Sequence, residues 1–146
     1  APEALSDWSA PLALARQAVA AQSDSPQNQN TLGFVLLRAG QTDEAIAALE
    51  AVANRAGSDS AAANSPPVYS WYALALAHHA AGHADPARDW YERAKAETAK
   101  LLSEPPSGGP PLAWNRRLTL QLLQRESEAK IAGETATATD ASPSNQ

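Results

Sequence analysis

Residues 30–52, NTLGFVLLRAGQTDEAIAALEAV, are followed by a second segment of the same plan at residues 71–94, WYALALAHHAAGHADPARDWYERA. Each reads as two amphipathic helices with a glycine between them. With Gly40 aligned on Gly82, Leu32 falls on Leu74, Gly33 on Ala75, Ala45 on Ala87, Leu49 on Tyr91 and Val52 on Ala94. A glycine just past a helix end lets the chain turn through a left-handed conformation. Repetition on this scale marks an architecture in which one helical unit stacks on the next.

Outward from this pair, residues 9–22 have helical spacing in Leu12, Ala15, Val19 and Gln22, with Ala18 on the flank. Ser9 is expected to cap this helix, and Pro11 lies in its first turn, where a missing N–H costs nothing. Trp8 either packs back on it or frays. Ser25 and Pro26 start the next helix, whose apolar stripe is Leu32, Val35, Leu36 and Ala39. Gly33 sits inside that helix, where glycine costs about 1 kcal/mol against alanine, so a close helix approach is expected there. After Thr42, a capping residue, Ala45, Ile46, Leu49 and Val52 face one side.

Residues 57–67, GSDSAAANSPP, read as a surface loop. A fourth helix runs over 67–81, and a fifth runs from Asp85 (cap) and Pro86 (first position) to about residue 102. SEPPSGGPP at 103–111 cannot be helical. A sixth helix over 112–131 is expected to carry Leu118, Leu122 and Ala129 along its apolar face. The segment beyond it, at 132–146, is low in large apolar residues and reads as a disordered tail or linker. No strand pattern occurs. The fold class is all-α, with about six helices.

Bulk composition excludes several functions. The 146 residues carry a formal net charge of −5 and a sequence pI near 5.1, which is unsuited to nucleic acid or an anionic membrane. No apolar run approaches the roughly 20 residues needed to cross a bilayer. There is no cysteine, so disulfides and thiolate metal sites are out. The N-terminal residues lack the basic and apolar regions of a secretory signal, and the expected location is cytoplasmic. Methionine is absent throughout, so the chain reads as a piece cut from a longer polypeptide or a processed one.

Leu32, Gly33, Leu36, Gly40, Ala45 and Leu49, together with Trp71, Leu74, Ala75, His78, Gly82, Ala87 and Tyr91, resemble the tetratricopeptide repeat family. Ala18 precedes Val52 by 34 residues, the period of that repeat, so the first helix fits as the second half of a preceding unit. Three features depart from the pattern. Gly82 follows Gly40 by 42 residues, the tryptophan position of the first copy is Gln29, and the aromatic after its turn is Leu49. The resemblance implies a right-handed α-solenoid of antiparallel helix hairpins. Its parts are a half repeat at 9–25, a repeat at 26–56, a loop at 57–66, a repeat at 67–102 and a terminal helix at 112–131. The chain also resembles the tetratricopeptide segments at the C-terminal end of large multidomain bacterial proteins, such as serine/threonine protein kinases. It carries no glycine-rich phosphate loop and no HRD or DFG sequence.

Chemistry is sparse. His79 and His83 have the i, i+4 spacing of helical metal ligands, and His78 is adjacent. Gly82 breaks the helix between them, so packing and exposure are the expected roles and no metal site is assigned. Gly108 and Gly109 lack a following lysine, and no serine sits in a nucleophile elbow. Asp43 and Glu44 suit a helix start, while Glu97–Lys100 and Glu126–Lys130 are helix-surface pairs. Arg116 and Arg117 form the one compact basic spot, read as a solvated face. No catalytic group and no cofactor are expected.

What remains is a surface. The resemblance implies a concave groove lined by the first helix of each hairpin, displaying Asn30, Phe34, Leu37, Tyr69, Tyr72, Leu76 and His79. The expected partner is a protein or peptide, or another domain of the same polypeptide. Phe34 and Leu37 stand where a polar carboxylate clamp would need other residues, so the chaperone-tail activity of the family is not implied. A non-catalytic regulatory or spacer segment of a larger bacterial enzyme is the alternative. An array cut at its N-terminal side exposes an apolar face, so oligomeric state stays open.

Overall fold

Gly40 and Gly82 adopt φ values of +79° and +81°, and each ends a helix in the same way. Gln41 N–H bonds to Leu36 O at 2.9 Å, and His83 N–H bonds to His78 O at 2.8 Å. Both are the six-to-one closure of a left-handed helix terminus. The computed structural model describes residues 7–56, 68–103 and 114–133. Its elements are α1 (Ser9–Ala21), α2 (Pro26–Arg38), α3 (Thr42–Ala56), α4 (Val68–Ala80), α5 (Ala84–Ser103) and α6 (Trp114–Ser127). A π-helical turn at Glu128–Ala132 continues α6. The described residues contain no strand. The chain is an all-α helical-repeat solenoid. The expected loops at 57–66 and 103–111 and the tail at 132–146 fall almost wholly outside the described residues.

Each helix packs on the next through α5, and α2, α4 and α6 form an inner layer in which α4 touches both others. The first hairpin closes at Gly33, where a Cβ would lie 2.5 Å from Leu49 Cγ and Cδ2. No side chain fits between those helices at that point. In the second hairpin Ala75 packs in one cluster with Ala87, Tyr91 and Ala94. The aligned positions therefore lie in one core cluster in the second copy, as Gly33 and Leu49 meet in the first.

The centre of the molecule is α4. Val68, Ser70 and every residue from Tyr72 to His78 are buried, because α2, α3, α5 and α6 surround it. A helix apolar on all sides is a core helix. Ser25 caps α2 as expected, accepting from Asn28 N–H. Three starts differ from expectation, the first being α3, in which Thr42 is the first helical residue and not the cap. Trp8, not Ser9, is the cap residue of α1, and the Ser9 N–H is taken by Asp7 Oδ1, one residue before the cap, at 2.9 Å. Helix α5 begins two residues early, at Ala84, which places Pro86 in the first turn, where backbone donors lack helical acceptors in any case.

The apolar face of α6 is also corrected. Leu120, Leu123, Ser127 and Ile131 are buried, whereas Leu118 and Leu122 are exposed together with Ala129. Both sets obey helical spacing, and contact with α4 and α5 selects the former. Ile131, inside the π turn, also lies in the core.

Candidate functional site

The inner layer leaves a cleft of about 470 Å³ between α2, the start of α4 and α6. Helix α2 supplies Gln27, Asn30, Thr31, Phe34 and Arg38. Tyr69 comes from α4, and Arg116, Thr119 and Leu123 come from α6. On α2 these positions recur every three to four residues, so they share one face. Half-buried Phe34 packs against two core clusters with one side and lines the cleft with the other. Ser70 Oγ donates to Asn30 Oδ1 at 2.7 Å, which fixes the amide. The Nδ2 protons of Asn30 are uncommitted among the described residues. Tyr69 O–H donates to Arg116 O at 3.4 Å and ties α4 to α6 at the mouth. Burial raises the Tyr69 pKa, with the Arg116 charge opposing, so the phenol stays protonated at neutral pH.

Arg38 is the partition. Its guanidinium donates from Nη1 and Nη2 to both oxygens of Glu126, each at 2.8 Å. Beyond it lies a smaller cleft of about 220 Å³, lined by Trp8, Leu37, Arg38, Leu76, His79, Ala80, Glu126 and Lys130. Burial acts to raise the Glu126 pKa. Hydrogen bonds and charge from Arg38, and then Lys130, outweigh that and hold it below the ordinary glutamate range.

The expected groove residues thus divide. Asn30, Phe34 and Tyr69 line the larger cleft, and Leu37, Leu76 and His79 the smaller. Tyr72 lines neither. Its side chain is fully buried, with its hydroxyl 2.8 Å from Thr98 Oγ1 on α5. Thr98 donates its own proton to Ala94 O, so Tyr72 donates to Thr98. Tyr72 is a core residue, turned away from the groove by the α5 contact.

The aligned hairpins, the two identical glycine termini and the Gly33–Leu49 approach are all features of one family, whose profile, Tetratricopeptide repeat, matches residues 24–96. The chain belongs to the tetratricopeptide repeat family. The matched span contains both copies of the pattern. Comparisons with curated proteins and with solved structures gave no significant match. Tetratricopeptide repeats generally mediate protein–protein interaction.

Six residues of the larger cleft in this tetratricopeptide domain were not singled out for the groove from the sequence: Gln27, Thr31, Arg38, Arg116, Thr119 and Leu123. The first three continue the Asn30/Phe34 face by a turn in each direction, and that periodicity was the available signal. The others needed α6 to be recognised as a groove wall. Arg116, read as a solvated arginine, is exposed but stands at the cleft, with no carboxylate within ion-pair distance among the described residues.

The histidines meet differently from their spacing. His78 Nδ1 lies 3.3 Å from His83 Nδ1, and His78 Nε2 lies 3.8 Å from Glu50 Oε1, whereas His79 faces the smaller cleft. Among the described residues no group of three or more histidine and acidic side chains is arranged to hold a metal ion. No described helix is long and apolar enough to cross a membrane.

Proposed function

We propose that the chain is a peptide-capture module, and that its larger cleft takes a short extended segment of a partner protein with an acidic group at the Arg116 end. The observation that carries this reading is the composition of that cleft. Phe34 and Leu123 offer an apolar floor, Asn30 offers amide protons to a backbone carbonyl, and Arg116 offers a cation without a partner carboxylate among the described residues. Aromatic side chains give contact area at small entropic cost, and a guanidinium pairs well with a carboxylate.

Peptides selected from a random display library on the wild-type chain test this. Rebinding to Arg116→Glu and to Phe34→Ala chains should fall at least tenfold, with helicity by circular dichroism unchanged. Equal binding to all three chains would remove the cleft from the reading. Arg116 is exposed, so its substitution leaves the core intact.

A second reading is that the segment serves as a non-catalytic spacer or regulatory part of a larger bacterial enzyme such as a protein kinase. The Arg38–Glu126 pair supports it, since it braces the two outer helices of the inner layer, as a spacer of fixed shape requires. The sequence flanking this chain in its parent decides between the two.

A further inference from the structure

Trp114, Leu118 and Leu122 are 78%, 47% and 56% exposed, and Leu14 is 66% exposed; these are the large apolar side chains left open among the described residues. The first three stand at i, i+4 and i+8 on α6, a single stripe about 12 Å long at 1.5 Å per residue. Leu14 stands on the outer face of α1 with Ala10, Ala13 and Ala18, all exposed. The two faces belong to the first and last helices of the stack. Among the described helices the backbone of α1 lies close to that of α2 alone, with Arg16 reaching across to Glu44 on α3, and α6 packs on α4 and α5. A contiguous open apolar stripe of this kind marks a contact surface.

We infer that the α6 stripe of one copy docks against the Leu14 face of α1 in a second copy, extending the stack from chain to chain. Side-chain size favours this pairing. Bulky groups on α6 meet a mostly alanine surface, the arrangement that Leu49 on Gly33 uses inside the chain.

Charge points the same way. Residues 114–133 carry four basic and two acidic side chains, and one of the acids, Glu126, is held by Arg38 and Lys130. Around α1 the charged residues are Asp7, Asp24 and Arg16, and Arg16 is already paired with Glu44 at 2.9 Å. The Asp24 side chain is 97% exposed, with Arg55 only at 4.0 Å. Antiparallel docking sets Asp24 and the negative end of the α1 dipole beside Arg116 and Arg117 at the start of α6. Two α6 helices docked on each other would instead oppose two net positive surfaces. This inference and the peptide-capture reading share Arg116 but no apolar residue, since Leu14, Trp114, Leu118 and Leu122 line neither cleft, so variants at Leu14 and Leu118 test the docking alone.

Sedimentation of the 146-residue chain should show weight-average mass rising with concentration between roughly 10 µM and roughly 1 mM, as one helix pair buries less than about 1,200 Å². A chain that stays monomeric throughout overturns the proposal. Because the protein has no cysteine, the contact can be mapped directly. Leu14→Cys and Leu118→Cys chains, mixed in equal amounts and oxidised, should give the mixed disulfide dimer well above its statistical share. An excess of the Leu118→Cys homodimer, or a purely statistical mixture, would overturn it. Leu14→Glu should abolish self-association as completely as Leu118→Glu, and mixing the two should restore a one-to-one complex. Association undiminished by Leu14→Glu would exclude α1 from the contact.

Discussion

Arg38 and Glu126, 88 residues apart in the chain, meet through two parallel hydrogen bonds of 2.8 Å, and this pair joins α2 to α6 across the groove. The two helices otherwise meet only through α4. Arg38→Ala is therefore expected to loosen α6 rather than to unfold the stack. With both partners partly exposed and Lys130 still beside Glu126, the expected cost is about 0.5–1.5 kcal/mol in urea unfolding. Amide exchange in α6 should accelerate more than in α3. Equal acceleration everywhere would show that the pair does not set the position of α6. The folded-state pKa of Glu126 is lowered, so its contribution is present above the ordinary glutamate pKa and is lost as pH falls through the lowered value. The variant should show a weaker loss of stability in that acid window than the wild-type chain.

Gly33→Ala tests the closeness of the first hairpin. On an exposed helix face the substitution gains about 1 kcal/mol from helix propensity. Here the new methyl meets Leu49 Cγ at 2.5 Å, and Leu49 is itself fully buried, so the leucine has no free direction in which to retreat. The expected balance is a net loss of about 1–2 kcal/mol, since overpacking costs roughly 1–3 kcal/mol. A rise in melting temperature would mean that α2 and α3 can separate without penalty.

Most of the architecture was legible because its signals are local. Gly40 and Gly82 mark helix ends through their own backbone freedom, and Gly33 advertises a close approach because nothing else justifies a glycine inside a helix. The faces of α4 and α6 were not legible, for two different reasons. Helix α4 is apolar on every side, so no stripe shows which residues turn toward the groove, and Tyr72 was placed there wrongly. Helix α6 offers two leucine sets of equal periodicity, and only contact with α4 and α5 decides between Leu118/Leu122 and Leu120/Leu123. Groove membership of Arg38 and Arg116 likewise depends on tertiary placement, which helix spacing alone does not carry.

Tyr72→Phe separates a core tyrosine from a groove tyrosine. The ring stays, and the only loss is the hydrogen bond into Thr98 Oγ1, which keeps its own bond to Ala94 O. Stability should fall by about 0.5–1.5 kcal/mol, the usual net value of one buried hydrogen bond. Peptide binding by the larger cleft should be unchanged within error. A loss of binding without a loss of stability would return Tyr72 to the groove.

His78 gives the fold a pH dependence near neutrality. Its side chain is almost fully buried at the end of α4, with Glu50 and His83 as its ionisable neighbours. Burial lowers its pKa most, Glu50 opposes that shift, and His83 adds to it, so the net direction is down. The folded chain therefore holds His78 neutral at pH values where the unfolded chain has begun to protonate it. Stability is complete above the ordinary histidine pKa of about 6.5 and declines as pH falls from there toward the lowered folded value. His78→Gln removes the titrating group while keeping a polar side chain beside His83. Thermal unfolding at pH 7.5 and pH 5.5, with tests at those two values chosen to lie about one unit either side of that ordinary pKa, should show a smaller difference for the variant than for the wild type. An unchanged difference would assign the pH dependence to another group and leave His78 a packing residue alone.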